Sequence, residues 1–484
     1  MVMSLNVIIR LRLSNRPGTL ARVLAAIAEE GGSLGSIDLV SASSTHIVRE
    51  LMVRLNNRDH IGDLVKVLDG LPGVEVIRVK DRVFLKHLGG KIEIKAKRDI
   101  QNREDLSLVY TPGVAKVSEV IAQEPELAYR LTMKGNSVAI VTDGSAVLGL
   151  GNIGPEGALP VMEGKAVLFK KFAGIDAIPL CLSVKEPEQI ISAVVAAAPS
   201  FGGINLEDIA APKCFEVEER LTQLLDIPVF HDDQHGTAIV VLAGLLNALK
   251  VVDKELPNVK IVISGAGAAG VAITKILISA GAQDIIVCDS KGAIARDRLP
   301  GKPYKKWLAE NTNVSCRHGR VKEVIAGADV FIGVSGPGLL DREDIVKMAA
   351  KPVIFALANP EPEVNPEEIY DVAGVIATGR SDFPNQINNV LVFPGVFRGA
   401  LDCHARTIND EMCLAAAKAL GEIISPDQLS AENIIPSVFN ENVSPAVARA
   451  VLEAAKRTGV SRRYLYEEAN RGGLLYATIK DSMT

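Results

Sequence analysis

Ten residues near the middle of the chain, VFHDDQHGTA (229–238), place two adjacent carboxylates between two histidines. His231 and His235 have the spacing of the zinc-binding H-E-x-x-H pattern, which needs both histidines on one helix face. Here DIPVF has the composition of a strand and Gly236 follows the second histidine, which predicts a strand-to-helix turn with the histidines pointing apart. Asp232 also replaces the glutamate of a zinc protease. The pattern favours Mg²⁺ or Mn²⁺, which prefer oxygen ligands, over zinc, and a solvated polar turn is the alternative.

A second acidic pair, Glu207 and Asp208, lies in INLEDIA (204–210) directly after an apolar run. Exposed acidic pairs are commonly solvated loop charges, so this pair by itself does not establish a site. Strand-like runs such as SVAIVTDG and AIPLCLSV alternate with helix-like runs across residues 105–250, the α/β pattern. Two acidic pairs at strand ends of such a region predict a carboxylate-bound divalent metal.

The pattern G-x-G-x-x-G occurs twice. GLGNIG (149–154) is followed by Pro155, so we predict no helix there and interpret the segment as a glycine-rich active-site loop. GAGAAG (265–270) lies between a strand, KIVISG, and a helical run, VAITKILISAG, as a dinucleotide-binding turn requires. This context predicts a cofactor-binding turn formed by Gly265, Gly267, Ala268, Ala269 and Gly270.

The next strand, DIIVCD, ends at Asp289, 24 residues after Gly265. A carboxylate there bonds the free 2′-hydroxyl of NAD and repels the 2′-phosphate of NADP. Lys291 could neutralise that phosphate, so NAD is predicted with NADP as the alternative. A later strand, ADVFIGVSGPG, ends in small residues from Ser335 onward, which lets the nicotinamide half lie close to the backbone.

The first 85 residues show the order β-α-β-β-α-β, with alternating apolar residues in NVIIRLRL and helical spacing in TLARVLAAIAEE. With the turn NRPGTLARV, this ferredoxin-like segment resembles an ACT domain, a small-molecule-sensing and often pairing module. A pairing domain without a ligand is the alternative. The chain is thus divided into an ACT-like domain (1–85), a catalytic α/β domain (90–250) and a Rossmann-type NAD-binding domain with C-terminal helices (251–484).

Composition limits the partners. The chain has 484 residues, a formal net charge of −5, no long basic block and six scattered cysteines without a C-x-x-C pair. We therefore expect no nucleic-acid partner, no disulfide framework and a cytoplasmic location. The most apolar segment (238–252) is interrupted by polar residues and is expected to be too short to span a membrane. Because no small-residue cleavage site follows the apolar run near the N-terminus, we expect no signal peptide.

Several motifs together resemble the compact bacterial malic enzymes: YTPGVA, VTDGSAVLGLGNIG, MEGKAVLFKKF, NLEDIAAPKCFEVE, FHDDQHGTA, ALANP and NQINNVLVFPG, in that order from residue 110 to 395. The resemblance implies NAD(P)-dependent oxidation of (S)-malate at C2, followed by decarboxylation to pyruvate. It implies a divalent metal, Mn²⁺ or Mg²⁺, and, with the ACT segment, a homodimer or larger homo-oligomer that a small-molecule effector regulates.

The resemblance also implies residue roles. Lys165 matches the general base and Tyr110 the general acid that protonates the enolpyruvate carbon. As a base, Lys165 needs burial or cationic neighbours to lower its pKa toward neutrality. The ligand set would be Glu207, Asp208 and Asp233, with Asp232 beside Lys165 or a ligand-bound water, and Asn359 and Asn389 as amides for the substrate, Asn359 also near the cofactor.

One position departs from larger malic enzymes, which carry a substrate-gripping arginine where this chain has Ala146. Arg380, Lys170, Lys171 or a backbone nest at 151–154 are the candidates to replace it. A different class of function, a ligand-sensing regulator with a secondary dehydrogenase core, is the alternative that the first 85 residues suggest.

Overall fold

The computed structural model describes residues 5–55, 59–147, 149–298 and 301–462. The chain divides into two compact units, one ending at Glu93 and one beginning at Ile94. The last 22 residues of the predicted third domain (463–484) lie outside the described residues.

The first unit is an antiparallel sheet in the order β2-β3-β1-β4 with two helices. Ile9 pairs with Leu51 on one side and Val79 on the other, and Val23 and Leu64 bring the helices into the same core. This confirms the ferredoxin-like βαββαβ prediction. Its elements are β1 (Leu5–Ser14), α1 (Thr19–Glu29), β2 (Ser33–Ala42), β3 (His46–Leu55), α2 (Asp59–Asp69), β4 (Val74–Asp81) and α3 (Arg82–His87).

The second unit begins with a parallel sheet in the order β6-β5-β7-β8, flanked by helices. Helices cover both faces of a parallel sheet, so its central strands are buried on both sides. Every residue of β5 and β7 is buried, which explains why these strands are almost continuously apolar in sequence. The elements are α4 (Arg103–Val109), α5 (Gly113–Gln123), α6 (Ala128–Leu131), β5 (Ser137–Thr142), α7 (Gly154–Ala173), β6 (Asp176–Cys181), α8 (Pro187–Ala197), β7 (Gly203–Leu206), α9 (Lys213–Leu224), β8 (Val229–His231) and α10 (Thr237–Val251).

The prediction for GLGNIG is wrong in one respect, because helix α7 begins at Gly154 with Pro155 in its first turn. Proline is tolerated in the first turn of a helix, where its missing N–H would have no intrahelical partner and its fixed φ suits the helix. Pro155, the second residue of α7, is therefore compatible with the helix that the sequence analysis excluded.

The acidic turn between β8 and α10 is a five-residue π-helical segment, Asp232–Gly236. It continues into α10, so the helical run Asp232–Val251 has 20 residues with a mean hydropathy of 1.2. This run is longer than expected, and it is long and apolar enough to cross a membrane by length and composition alone. Because 72% of its most apolar stretch is buried inside the protein, it has the surroundings of a core helix.

The remaining sheet has the order β11-β10-β9-β12-β13-β14 and is parallel except for the short β11. Strand order reverses beside β9, as in dinucleotide-binding folds, where ligands bind at the carboxyl ends of the strands. Residues of both parallel sheets share one apolar core, in which Phe230 and Phe397 are in contact. The elements are β9 (Lys260–Ser264), α11 (Ala268–Ser279), β10 (Asp284–Asp289), β11 (Gly292–Ala293), α12 (Pro303–Asn311), α13 (Val321–Val324), β12 (Val330–Gly333), α14 (Arg342–Val346), β13 (Val353–Ala356), β14 (Val375–Thr378), α15 (Phe393–Asp402), α16 (Asp410–Gly421) and α17 (Val443–Arg457).

Candidate active site

The carboxyl ends of β7 and β8 bring the two predicted acidic pairs together. Strands β7 and β8 are adjacent and parallel, so Glu207 and Asp208 after β7 lie beside Asp232 and Asp233 after β8. The backbone N–H of Asp208 donates to Asp233 Oδ2 at 2.8 Å. Sheet topology therefore gathers four carboxylates that are separated along the chain.

Lys165, on α7, points into this acidic group. Its side chain is only 6% exposed, and its Nζ donates to Glu207 Oε1 at 2.8 Å and to the carboxylate of Asp232. The ring of Phe393 lies 4.0 Å from the same ammonium. Asn205 Nδ2 donates to the second oxygen of Glu207 at 2.9 Å. The lysine is thus fixed by ionic, amide and aromatic neighbours.

The charges do not balance in this cluster. Burial alone would lower the pKa of Lys165, but the charges of Asp232 and Glu207 outweigh burial and raise it. Burial raises the pKa of Asp232 to about 8, although Lys165 opposes this change. Burial and the charges of Asp233 and Glu207 raise the pKa of Asp208 to about 8. One ammonium faces four carboxyl groups, so the cluster retains excess acidity that protons or a cation must offset.

In this structure the pKa of Lys165 is raised, whereas the role of general base was expected to require a lowered pKa. Burial is present as predicted, but the neighbours are anionic, so the ammonium form is stabilised.

The acidic cluster fits a divalent cation by its charge and by its unpaired oxygens. Asp208 Oδ2 and Asp232 Oδ1 are buried without a hydrogen-bond partner among the described residues. In that part of the chain, no three His, Cys, Asp or Glu side chains already have the spacing of a closed metal cage. Carboxylate oxygens are nevertheless the donor set that Mg²⁺ and Mn²⁺ prefer, and a divalent ion would offset the excess acidity.

Backbone geometry holds the two acidic pairs in place. Asp208 has a positive φ of 54°, and its carbonyl accepts the N–H of Ala146 at 2.9 Å. A side chain at Gly236 would collide with the carboxylate of Asp232. Glycine is thus required in the turn to leave room for the carboxylate that Lys165 contacts.

The two histidines of the turn differ in their surroundings, as predicted. His231 is fully buried, and neither ring nitrogen has a hydrogen-bond partner within the described chain. Its Nε2 lies 3.9 Å from Asp233 Oδ2, and burial lowers its pKa. His235 Nε2 instead lies 3.0 Å from Glu218 Oε1. The pair therefore does not share one ligand position.

The predicted residues do not all come together. Asn389 lies against the acidic turn, because a β-carbon at Gly236 would be 3.2 Å from the Asn389 β-carbon. Asn359 is half-buried and precedes a cis peptide bond to Pro360. Tyr110 is 64% exposed, and its phenol has no hydrogen bond among the described residues. The structure thus leaves the predicted general acid outside the buried cluster.

The candidates to replace the substrate-gripping arginine have other partners. Lys170 Nζ is 2.7 Å from Asp176, and Arg380 donates to Asp382 at 2.8 Å. In the segment 151–154, the N–H groups of residues 153 and 154 donate to Gly144, and that of residue 151 donates to Val147. Those amides are not free for an anion. Lys171 is exposed on α7.

The glycine turn after β9 has the features of a dinucleotide site. Gly265 has a φ of 118°, and a β-carbon there would approach the Val334 carbonyl to 2.5 Å. A β-carbon at Gly267 would meet nothing within 4 Å, which leaves open space in front of the turn. Helix α11 begins at Ala268, so its first N–H groups face that space. Ser335 lies nearby, with its hydroxyl 2.9 Å from that of Ser264.

Asp289 ends β10, as predicted, but it is not free. Its side chain is 8% exposed and accepts from Arg298 at 2.5 Å and from Lys305 at 2.6 Å. Although burial opposes it, hydrogen bonds from Arg298 and Lys305 lower the pKa of Asp289 to about 2. Lys291 contributes its backbone N–H at 2.9 Å. Two cationic side chains therefore surround the carboxylate that was predicted to select NAD.

Some contributors were missed by sequence reasoning. Asn205 precedes the acidic pair within INLED and could have been noticed there. Phe393 contacts Lys165 from far along the chain, and no local pattern signals that contact. Glu218 accepts the N–H of His231 at 2.8 Å and the side-chain amide of Gln234 at 2.9 Å, which anchors the acidic turn.

Comparison with known proteins agrees with this arrangement. Three family models match: "ACT domain" over residues 3–78, "Malic enzyme, N-terminal domain" over 89–222 and "Malic enzyme, NAD binding domain" over 234–456. An NAD-dependent malic enzyme of Geobacillus stearothermophilus is 55% identical over 460 residues, covering 95% of this chain and 96% of its own. The chain belongs to the malic enzyme family. Membership confirms the predicted fold class, and NAD or NADP is the cofactor of the family's nucleotide-binding domain.

Other members of the malic enzyme family match about three quarters of the chain. A bifunctional malic/malolactic enzyme of Bacillus subtilis (strain 168) is 56% identical over 375 residues, covering 77% of this chain and 92% of its own. A crystal structure of malic enzyme from Pyrococcus horikoshii superimposes with a TM-score of 0.75 at 52% identity, covering 77% of this chain and 88% of its own. The zinc-hydrolase interpretation of the two histidines is excluded by this membership.

Proposed function

We propose that the chain oxidises (S)-malate at C2 with NAD(P) and decarboxylates the product to pyruvate and carbon dioxide. The observation that carries this proposal is the buried contact of Lys165 with Glu207 and Asp232 at the carboxyl edge of the catalytic sheet. A buried ion pair adds little net stability compared with apolar packing, because the desolvation of its charges offsets their attraction. A catalytic role accounts for its position.

Glu207, Asp208 and Asp233 would hold one Mn²⁺ or Mg²⁺ ion. When bound, the ion would supply Lewis acidity toward the oxygen on C2. Asp232 stays beside Lys165 and outside the ligand set, because its side chain is fully buried against the ammonium, whereas that of Glu207 remains slightly exposed.

Lys165 would accept the proton of the C2 hydroxyl, and bound NAD(P) would supply the hydride acceptor. Lys165 must first lose its own proton, and its carboxylate partners oppose that loss for as long as they remain paired with it alone. A cation held by Glu207 would offset the charge of one of these partners and favour the neutral amine. Tyr110 then donates its phenolic proton to the enolpyruvate carbon, a role that requires its exposed segment to meet the site.

Asn359 and Asn389 orient the substrate. Amide side chains can hydrogen-bond a carboxylate without adding charge, which suits a site that already contains Lys165 and a divalent ion. The location of Asn389 against the acidic turn supports this role.

NAD is the preferred cofactor, with NADP accepted less well. Asp289 at the end of β10 favours a ribose that carries a free 2′-hydroxyl. Its pairing with Arg298 and Lys305 reduces the repulsion that a 2′-phosphate would meet, which supports use of both cofactors.

The enzyme is a cytoplasmic homo-oligomer whose ACT unit binds a small-molecule effector. Strand β2 is an edge strand, and it exposes Leu34, Ile37, Leu39 and Val40. Unpaired edges with apolar side chains favour pairing with another strand, and a second copy of this chain supplies an identical edge. Association through β2 would place two ACT units side by side.

A product assay tests the proposed function. Purified protein is incubated with (S)-malate, Mn²⁺ and either NAD or NADP, and reduced cofactor and pyruvate are both quantified. We expect equal amounts of pyruvate and reduced cofactor and a higher kcat/KM with NAD. Lactate without net cofactor reduction, or no turnover with any 2-hydroxy diacid, would contradict the proposal.

A further inference from the structure

Glu363 is a buried acidic residue in the loop after β13, outside the acidic cluster that was proposed to bind the metal. Its carboxylate is 0% exposed. One oxygen accepts the backbone N–H of Ser335 at 2.9 Å, and the other accepts that of Ala358 at 3.1 Å. Ser335 follows β12 and Ala358 follows β13, so one side chain bridges the loops at the ends of two adjacent strands.

This carboxylate has backbone dipoles as partners instead of a cation. No lysine, arginine or histidine of the described residues forms an ion pair with it. Burial raises the pKa of Glu363, and the N–H groups of Ser335 and Ala358 oppose that change. A β-carbon at Gly333 would collide with the carboxylate, so the strand end is shaped to admit it. Each carboxylate oxygen accepts a backbone N–H, which stabilises the ionised form of Glu363 without a cationic side chain.

The cofactor supplies a cation of the right kind. Open sheets of this type bind the dinucleotide at the carboxyl ends of the strands, where strand order reverses, here beside β9. The hydroxyl of Ser335 contacts Ser264 at the end of β9, next to the glycine turn. The loops that Glu363 bridges would therefore border the nicotinamide half of a bound dinucleotide. The oxidised nicotinamide ring carries a positive charge, and the reduced ring is neutral.

We propose that Glu363 is a positioning residue that also favours the oxidised cofactor, because it holds a negative charge behind the two loops that border the nicotinamide. The inference rests on the proposed cofactor position and goes beyond the proposed reaction. The carboxylate of Glu363 would thus do two things. It joins the loops after β12 and β13, and its charge makes NAD⁺ bind more tightly than NADH.

Binding measurements on the full chain test the inference without turnover. Dissociation constants for NAD⁺ and NADH are measured by calorimetry without malate, for the native protein and for Glu363→Gln, which keeps the side-chain shape and removes the charge. We expect the dissociation constant for NAD⁺ to rise roughly tenfold, as for a unit charge acting over about 10 Å at an effective dielectric constant of about 20. The dissociation constant for NADH should change by less than about twofold, because the reduced ring has no charge for Glu363 to attract. The matched control, Glu367→Gln, removes an exposed carboxylate of the same loop and should change neither constant.

Glu363→Asp separates charge from shape. It keeps the charge but is too short to reach both N–H groups, so both constants should rise together and their ratio should stay near the native ratio. Equal weakening of NAD⁺ and NADH by Glu363→Gln, or a changed ratio in Glu363→Asp, would overturn the charge preference. If the native protein bound neither cofactor, the proposed function itself would be wrong. If the native protein bound both cofactors but Glu363→Gln weakened them equally, only the role of Glu363 would be wrong.

Discussion

Replacing Lys165 by methionine should separate a catalytic lysine from a structural one. Methionine keeps most of the volume and removes the charge, which leaves Glu207 Oε1 and the Asp232 carboxylate buried without their cationic partner. Removing one partner of a buried ion pair costs about 3–5 kcal/mol. For a domain of this size we expect the thermal unfolding midpoint to fall on the order of 5–10 °C. The kcat should fall by roughly 10²–10⁴-fold if the general base is lost.

Two variants control this experiment. Lys170→Met removes an exposed lysine of the same helix that pairs with Asp176, so its cost should be about 0–1 kcal/mol with unchanged kcat. The double variant Lys165→Met/Asp232→Asn removes both charges of one contact, so it should recover part of the stability but none of the activity. Thermal unfolding and initial rates with saturating malate, Mn²⁺ and NAD provide the readouts. If Lys165→Met retained native stability and kcat, the reasoning about the buried cluster would be refuted.

Three further predictions concern other parts of the chain. Gly236→Ala should lower stability by about 1–3 kcal/mol and reduce kcat, because the new methyl group displaces Asp232; chemical denaturation and initial rates measure both, and a native-like variant would contradict the contact. Asp289→Asn should lose the stability that the ion-paired carboxylate provides. Since the folded pKa is lowered to about 2, that contribution is full above pH about 4 and disappears as the pH falls toward 2, so acid unfolding curves should differ most at neutral pH and converge near pH 2. Leu39→Lys should weaken association through β2, and an unchanged mass in light scattering would exclude that edge.

Local patterns were sufficient where a single segment determines the outcome. The period of two in β1 and the helical spacing in α1 predicted the ACT unit, and the strand-turn-helix context predicted the glycine turn at Gly265. Both depend on interactions within a few residues. The acidic pairs were also identified in sequence, because charged residues directly after apolar strands are conspicuous.

Long-range features were not predictable in the same way. The Phe393 ring beside Lys165 and the bridge formed by Glu363 join segments that only tertiary packing brings together. The helix at Gly154 was missed for a local reason, since proline was treated as a helix breaker although the first turn of a helix tolerates it. The Lys165 environment was predicted in part: Asp232 was placed beside it, but the contact with Glu207 depends on which strands are adjacent.

Manganese binding tests the central claim most directly. Titration of the metal-free full chain with Mn²⁺, followed by electron paramagnetic resonance, should show one tight site per chain. Asp233→Asn should abolish that site, whereas Asp232→Asn should leave its affinity largely intact, since Asp232 faces the ammonium of Lys165. Equal loss of affinity in both variants, or tight binding that survives Asp233→Asn, would contradict the account.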